Sequence, residues 1–268
     1  MFDYLLFIAV LAVPFLINGV KTYRKGLVTG LFISLLYWGK ILPVLALIPL
    51  SSLLYIFFSG RRTAQPKEPI VSVKNPSLPM LAVFIVSMAI FCAFEDSFAL
   101  YGSYIGINSQ SLGLSHSLDQ IAFLTGPVLF GNWCDRKGPF SAAIFLTLLS
   151  EISVWCAANG QVGAGLFMTG SFLVHLCTSG FFVVLPVVVY TIFGESRFSR
   201  AYPAAALTAA AAWVTSRLLY IHSWSASYNP GSFLISLILL TILSALFIFL
   251  AWKRRLSLVG QDQLQKTS

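Results

Sequence analysis

Apolar runs of about 20 residues, parted by short polar segments that hold nearly all of the Lys and Arg, recur from Tyr4 to Trp252. An α-helix rises about 1.5 Å per residue, so a run of that length matches the roughly 30 Å hydrocarbon core of a bilayer. With 57% hydrophobic and 10% charged residues, the 268-residue chain has too little polar surface to clothe a soluble globule. A lipid bilayer is its expected surrounding, and helices rather than barrel strands are its expected elements.

The net charge of +8 does not point to nucleic acid, because no basic face with interleaved exposed aromatics is present. The cations stand between apolar runs, where they report membrane orientation. Cys92, Cys134, Cys156 and Cys177 lack close-pair spacing and read as small apolar groups, with no disulfide framework and no metal site. The start, Met1-Phe2-Asp3-Tyr4-Leu5, carries an acid and no basic region, so it reads as an abrupt first span and a poor secretory signal.

That first run, Tyr4 to Val20, ends at Lys21, Arg24 and Lys25. The apolar stretch Gly26 to Phe58 is too long for one untilted helix. Trp38-Gly39-Lys40 divides it into a short span, Leu27 to Tyr37, and a fuller one, Ile41 to Phe58. Residues Gly60 to Leu78 hold four cations with Pro66, Pro69 and Pro76 and read as a solvated linker. Six spans follow, at about Pro79 to Leu100, Leu118 to Trp133, Phe140 to Ala158, Gly163 to Phe193, Ala201 to His222 and Phe233 to Trp252.

The expected architecture is an all-α, polytopic membrane bundle of about nine transmembrane helices. Residues 1–59 form a partial amino-terminal bundle, 60–78 a cytoplasmic linker, 79–252 a six-helix carboxyl-terminal bundle and 253–268 a cytoplasmic tail. Alternating spans place fifteen of the seventeen Lys and Arg on the inner side, and the loops Tyr101 to Ser117, Asn159 to Val162 and Ser223 to Ser232 carry none. The expected location is therefore a multi-pass protein of the plasma (inner) membrane, its carboxyl terminus cytoplasmic.

Between the second and third spans of the six-span unit stands Gly131-Asn132-Trp133-Cys134-Asp135-Arg136-Lys137-Gly138, a charged turn on the basic side. The pattern G-x-x-x-D-R-x-G resembles the signature loop of the major facilitator superfamily, which follows the second span of each six-helix half. The segment from Phe193 to Tyr202 also looks like the loop entering the eleventh helix of monocarboxylate and oxalate:formate transporters. Together with the linker, the resemblance covers Gly60 to the carboxyl terminus.

By that resemblance Gly131, Asp135, Arg136 and Gly138 form a conformational latch. Asp135 accepts hydrogen bonds at a helix amino terminus, the fifth family helix beginning at Gly26, where an anion complements the helix dipole by ~0.3–1 kcal/mol. Arg136 bridges to acidic or carbonyl groups, and the two glycines permit close approach and a tight turn. Read from the residues alone, the same stretch is a hydrophilic turn that caps its own helix. The chain departs from the family pattern at Pro139-Phe140, where basic residues are usual, and at Tyr202-Pro203, Ala204 to Ala212 and Ser216-Arg217. Aligned with the family, the segments at Tyr4, Leu27 and Ile41 correspond to its fourth to sixth helices. The fold expected is a truncated major facilitator bundle lacking the first three, and a second chain is an expected partner to supply them.

Ionisable residues deep in spans are costly and mark pathways. Glu95, Asp96, His175 and Arg217 are the candidates for a substrate and ion pathway. Glu95 and Asp96 lie roughly 24–26 Å along their helix from Pro79, and Arg217 about 24 Å from Ala201, so they share a depth. The planar guanidinium of Arg217 suits a substrate carboxylate, with Glu95 or Asp96 as counter-ion or proton carrier. A structural ion pair, or Arg217 snorkelling outward past His222, is the blander alternative. His175 suits a proton relay or a simple interhelical hydrogen bond. Glu151 reads as a carboxyl bonded across helices, and Asp119 as a cap at an outer helix start. Gly106, Gly113, Tyr101 and Tyr104 read as a flexible outer end. Gly163, Gly165, Gly170, Gly180 and Pro186 read as close packing and a kink.

No phosphate loop, metal-ligand cluster or paired nucleophile and base stands at enzymatic spacing, so neither an enzyme nor a cofactor is expected. The function expected is secondary active transport of a small solute, an organic anion by the family branch, with a proton as coupling ion. A transport-inactive membrane remnant or interaction protein is the alternative.

Overall fold

The computed structural model describes residues 25–41, 77–224, 238–247 and 249–250, and every regular element among them is helical. In chain order these are α1 (Lys25–Ile41), α2 (Ser77–Asp96), α3 (Phe98–Tyr104), α4 (Ser109–Lys137), α5 (Pro139–Ala158), a 3-10 turn (Gly160–Val162), α6 (Ala164–Trp224) and a shorter α7 (Ile238–Phe247). The segments read from sequence as spans at Tyr4 to Val20 and Ile41 to Phe58 fall outside the described residues almost entirely. So do most of the linker and the carboxyl-terminal tail.

Among the described residues, three helices are long and apolar enough to cross a membrane: Leu78–Asp96, Pro139–Ala158 and Ala164–Leu218. About nine had been expected, and the difference has identifiable causes. α4 is long enough at 29 residues, but Ser109, Gln110, Ser111, Ser115, His116, Ser117, Asp119 and Gln120 crowd its first half. α1 and α7 have described apolar stretches of only 10–17 residues. The third spanning helix merges two expected spans, because α6 runs 61 residues and is interrupted only at Gly194 (φ 70°, ψ 172°). A straight helix of that length would extend about 90 Å, so α6 acts as two arms.

Three boundaries shift. The charged turn contracts to a single residue: Gly131 to Lys137 continue α4, and Gly138 (φ 88°, ψ 151°) alone reverses the chain before Pro139, the first residue of α5. That backbone region is essentially closed to side-chain-bearing residues, and Pro at a helix start loses no hydrogen bond. The expected loop Tyr101 to Ser117 is mostly helical, since α3 holds Tyr101 to Tyr104 and α4 begins at Ser109, capped by the Asn108 side chain accepting from Ser111 N at 2.7 Å. α1 continues through residues 38–40, where an interruption had been expected. Polar helical turns at a membrane surface read as loop when apolar content is the only guide.

α6 is the central element, packing against α1, α2, α4 and α5. Its first arm presents Phe167, Val174, Cys177, Phe181, Val184 and Val188 to Phe84, Met88, Phe91, Phe94 and Phe98 of α2 and α3 and to Phe130 and Leu146 of α4 and α5. In a bilayer, lipid is as apolar as these side chains, so helices of this kind depend on close packing more than on escape from water. Gly170 and Gly180 provide it: a Cβ at Gly170 would lie 2.8 Å from Ala157 N, and one at Gly180 would strike the Phe130 ring. Gly163 and Gly165 face open space and do no such packing, and the non-helical break lies at Gly194, not at Pro186. Buried hydroxyls return their hydrogens to their own helix, as Thr147 does to Ala143 O at 2.9 Å and Ser150 to Thr147 O at 2.7 Å. Thr147 and Ser150 thus cross the apolar layer without an orphaned donor.

Candidate functional site

Two polar constellations stand out, one at each side of the bundle's mid-depth. The first lies where α1 begins. Its opening N–H groups have no partner within the helix, and the Asp135 carboxylate on α4 accepts from both Gly26 N (2.9 Å, Oδ1) and Leu27 N (2.8 Å, Oδ2). A carboxylate bridging two amides at a helix amino terminus combines charge-assisted bonds with the helix dipole.

Asp135 reaches that position because α1 and α4 run antiparallel in close contact. Gly26 packs on Gly131 and Gly30 on Pro127, and Ser34 Oγ donates to Leu124 O at 3.1 Å, three contacts spaced one turn apart. A Cβ at Gly26 would sit 2.5 Å from Gly131 O. Beside Asp135, Lys25 Nζ donates to Tyr190 OH at 2.6 Å and lies 3.8 Å from the centre of the Tyr190 ring, tying the start of α1 to α6. The α4–α5 reversal is stapled by Trp133 stacked on Phe145 (4.3 Å, 6°), with Trp133 Nε1 donating to Ser141 Oγ at 3.3 Å. Arg136, expected to bridge acids or carbonyls, is exposed and has no polar partner among the described residues.

The second constellation joins three helices. His175 on α6 faces Glu95 on α2 through Nε2 (3.0 Å to Oε1) and Asp119 on α4 through Nδ1 (3.0 Å to Oδ1), and the three side chains are only 11–15% exposed. Ser171, one turn before His175, donates from Oγ to Asp119 Oδ1 at 2.6 Å, and its carbonyl lies 2.8 Å from Nδ1. The rings of Phe98 and Phe123 flank the imidazole at 6.3 and 5.5 Å. Asp119 is thus buried ten residues into α4 and is not the cap; Asn108 is.

Arg217 and Asp96 form a looser pair, Nε to Oδ2 at 3.9 Å, with side chains 40% and 26% exposed. Arg217 also lies over the Trp213 ring, 5.2 Å from its centre. The expected acid–arginine meeting therefore falls to Asp96, while Glu95 turns to His175. On the amino-terminal side of Asp96 and Arg217 along their helices, Val86 and Ile90 of α2 and Thr208, Ala211, Ala212, Thr215 and Ser216 of α6 line an open groove of about 510 Å³, which neither charged residue lines. Glu151 accepts from Thr241 Oγ1 of α7 at 3.1 Å, a bond across helices away from both sites.

Sequence reasoning singled out His175 and Glu95 separately but missed that Asp119 and Ser171 complete their cluster. Ser171 at four residues before His175 was the available signal, because that spacing shares a helix face. Lys25 and Tyr190 gave none, being 165 residues apart. No protein-family model matches this chain, and no curated protein matches it.

Proposed function

We propose that this protein is a secondary transporter of small solutes, of the major facilitator type. The chain sits as a multi-pass protein of about nine spans in the plasma membrane with its carboxyl terminus cytoplasmic. Helices that complete the bundle to which α1 belongs come from outside the described residues. The observation that carries the reading is the Asp135 carboxylate seated on the Gly26 and Leu27 amides. It combines the G-x-x-x-D-R-x-G pattern with a contact between the six-span unit and a helix that precedes the linker. In an alternating-access mechanism such a contact holds one side of the two bundles shut, and its breaking lets them rock apart.

The solute site favoured is the groove beside Arg217 and Asp96. An exposed guanidinium already paired with a carboxylate exchanges partners readily, so an incoming organic carboxylate displaces Asp96 from Arg217 and places its apolar body against Val86, Ile90 and Ala212. An ion or solute gradient drives the cycle, since nothing in the sequence resembles a nucleotide site.

The test is uptake of labelled small monocarboxylates into vesicles holding the purified protein. Arg217→Gln is expected to raise KM by roughly 10–100-fold, the loss of one charge-assisted bidentate contact. Asp135→Ala is expected to lower turnover with KM within about twofold, because the latch sets the balance between states and not the affinity of either. Uptake unchanged in both variants removes the site and the latch together. No uptake by the intact chain, with and without co-expressed membrane partners, leaves an interaction protein built on the same bundle.

A further inference from the structure

We infer that Glu95, His175 and Asp119 form a proton-binding centre in which Glu95, hydrogen-bonded through Oε1 to His175 Nε2, holds one exchangeable proton on its carboxyl. Nδ1 of His175 faces only acceptors, the Ser171 carbonyl at 2.8 Å and Asp119 Oδ1 at 3.0 Å, so that nitrogen carries a hydrogen. Asp119 Oδ1 receives this N–H and the Ser171 hydroxyl, two donors on one carboxylate oxygen. Nε2 then faces Glu95 Oε1 at 3.0 Å, a separation that requires a hydrogen between nitrogen and oxygen.

Counting charge identifies the proton that comes and goes. With Asp119 ionised, the imidazole protonated at both nitrogens and Glu95 carrying its acid proton on Oε2, the cluster is neutral. Loss of that single proton leaves a net charge of −1 among Phe98, Phe123 and the surrounding apolar helices, a state that burial disfavours. The neighbouring charges do not compensate it: Asp96, next to Glu95 on α2, is matched by Arg217 of α6. A hard metal cation is a poor rival occupant, because such ions take cages of oxygens and here an imidazole nitrogen stands against one oxygen of each acid. Each of the three groups comes from a different helix of the six-span unit, α2, α4 and α6, so protonation changes the force between helices packed within one bundle. That this proton drives solute movement rests on the transporter reading; that it binds here does not.

Infrared difference spectra of the purified full chain in lipid vesicles, taken between acid and alkaline buffer, test the centre. The wild type is expected to gain a carboxylic-acid carbonyl band on acidification. That band is absent in Glu95→Gln, retained in Glu151→Gln and shifted in its midpoint by about one pH unit or more in His175→Gln. A wild-type spectrum without a pH-sensitive acid band, or a band that survives Glu95→Gln, overturns the centre, and the wild-type arm needs no variant to fold. In transport, Glu95→Gln is expected to lose accumulation against a pH gradient by about tenfold while solute exchange at equal pH persists. An intact band in a protein that moves no solute upholds the centre and removes the transporter reading alone.

Discussion

Gly138 and Gly194 hold the chain in a backbone region that a Cβ all but forbids, at φ 88°, ψ 151° and φ 70°, ψ 172°. Neither Cβ position meets a neighbour, so strain and not collision decides the outcome of substitution. Replacing either by Ala is expected to cost about 1–3 kcal/mol. Gly113→Ala, at an open position within α4, is expected to be neutral or stabilising by about 0.5–1 kcal/mol. Thermal unfolding in detergent micelles checks all three, and equal effects would mean that Gly138 and Gly194 are not held in that backbone region. The Gly138 reversal was legible in the sequence because Gly followed by Pro is local turn chemistry. The Asp119 cluster was not: with the start of α4 placed at Leu118, Asp119 looked like a terminal cap, and only the nine further residues from Ser109 carry it into the interior.

Helix pairs in lipid associate through surfaces that permit close approach, and the α1–α4 contact is built that way. Gly26, Gly30 and Ser34 recur at four-residue spacing on one side, and Gly131, Pro127 and Leu124 meet them on the other in reverse order. Leu at position 131 places its side chain onto the Gly26 carbonyl and Leu27 Cα, which leaves the helices no position at their present separation. Gly131→Leu is therefore expected to part α1 from α4 and to release the Asp135 clamp without touching Asp135. A short thiol crosslinker in a Ser34→Cys, Leu124→Cys chain is expected to join the two helices and to fail once Gly131→Leu is added. Persistent crosslinking would show that the pair holds without its small residues. The existence of most of these helices was readable from apolar content. Their boundaries were not, because α4 opens with Ser109, Gln110 and Ser111 and only the Asn108 cap marks the start. Nor does a span apolar on every face reveal which neighbour it packs against.

The described helices end in two groups, and charge divides them. Lys25, Asp135, Gly138 and Tyr190 gather at one end through the Asp135 and Lys25 contacts. Tyr101, Ile105, Gly160 and Phe167 gather at the other, where Tyr101 OH donates to Ala157 O at 3.2 Å. Lys25, Arg136, Lys137, Arg197 and Arg200 belong to the first end, while the connections at 97–108 and 159–163 carry no Lys or Arg. On the transporter proposed above, the positive-inside rule assigns the first end to the cytoplasm. His175 stands eleven residues into α6, roughly 16 Å from the uncharged end. In that proposed orientation a proton bound for Glu95 is expected from the outer side, with the Asp135 clamp on the inner one. Single cysteines at the exposed positions Gln161 and Glu195 decide the orientation, and the four native cysteines are buried and add little background. In intact cells a membrane-impermeant maleimide is expected to label Gln161→Cys at once and Glu195→Cys only after permeabilisation. The reverse pattern would put the clamp on the outer face and open the proton centre to the cytoplasm, inverting the direction in which a pH gradient does work on the bundle.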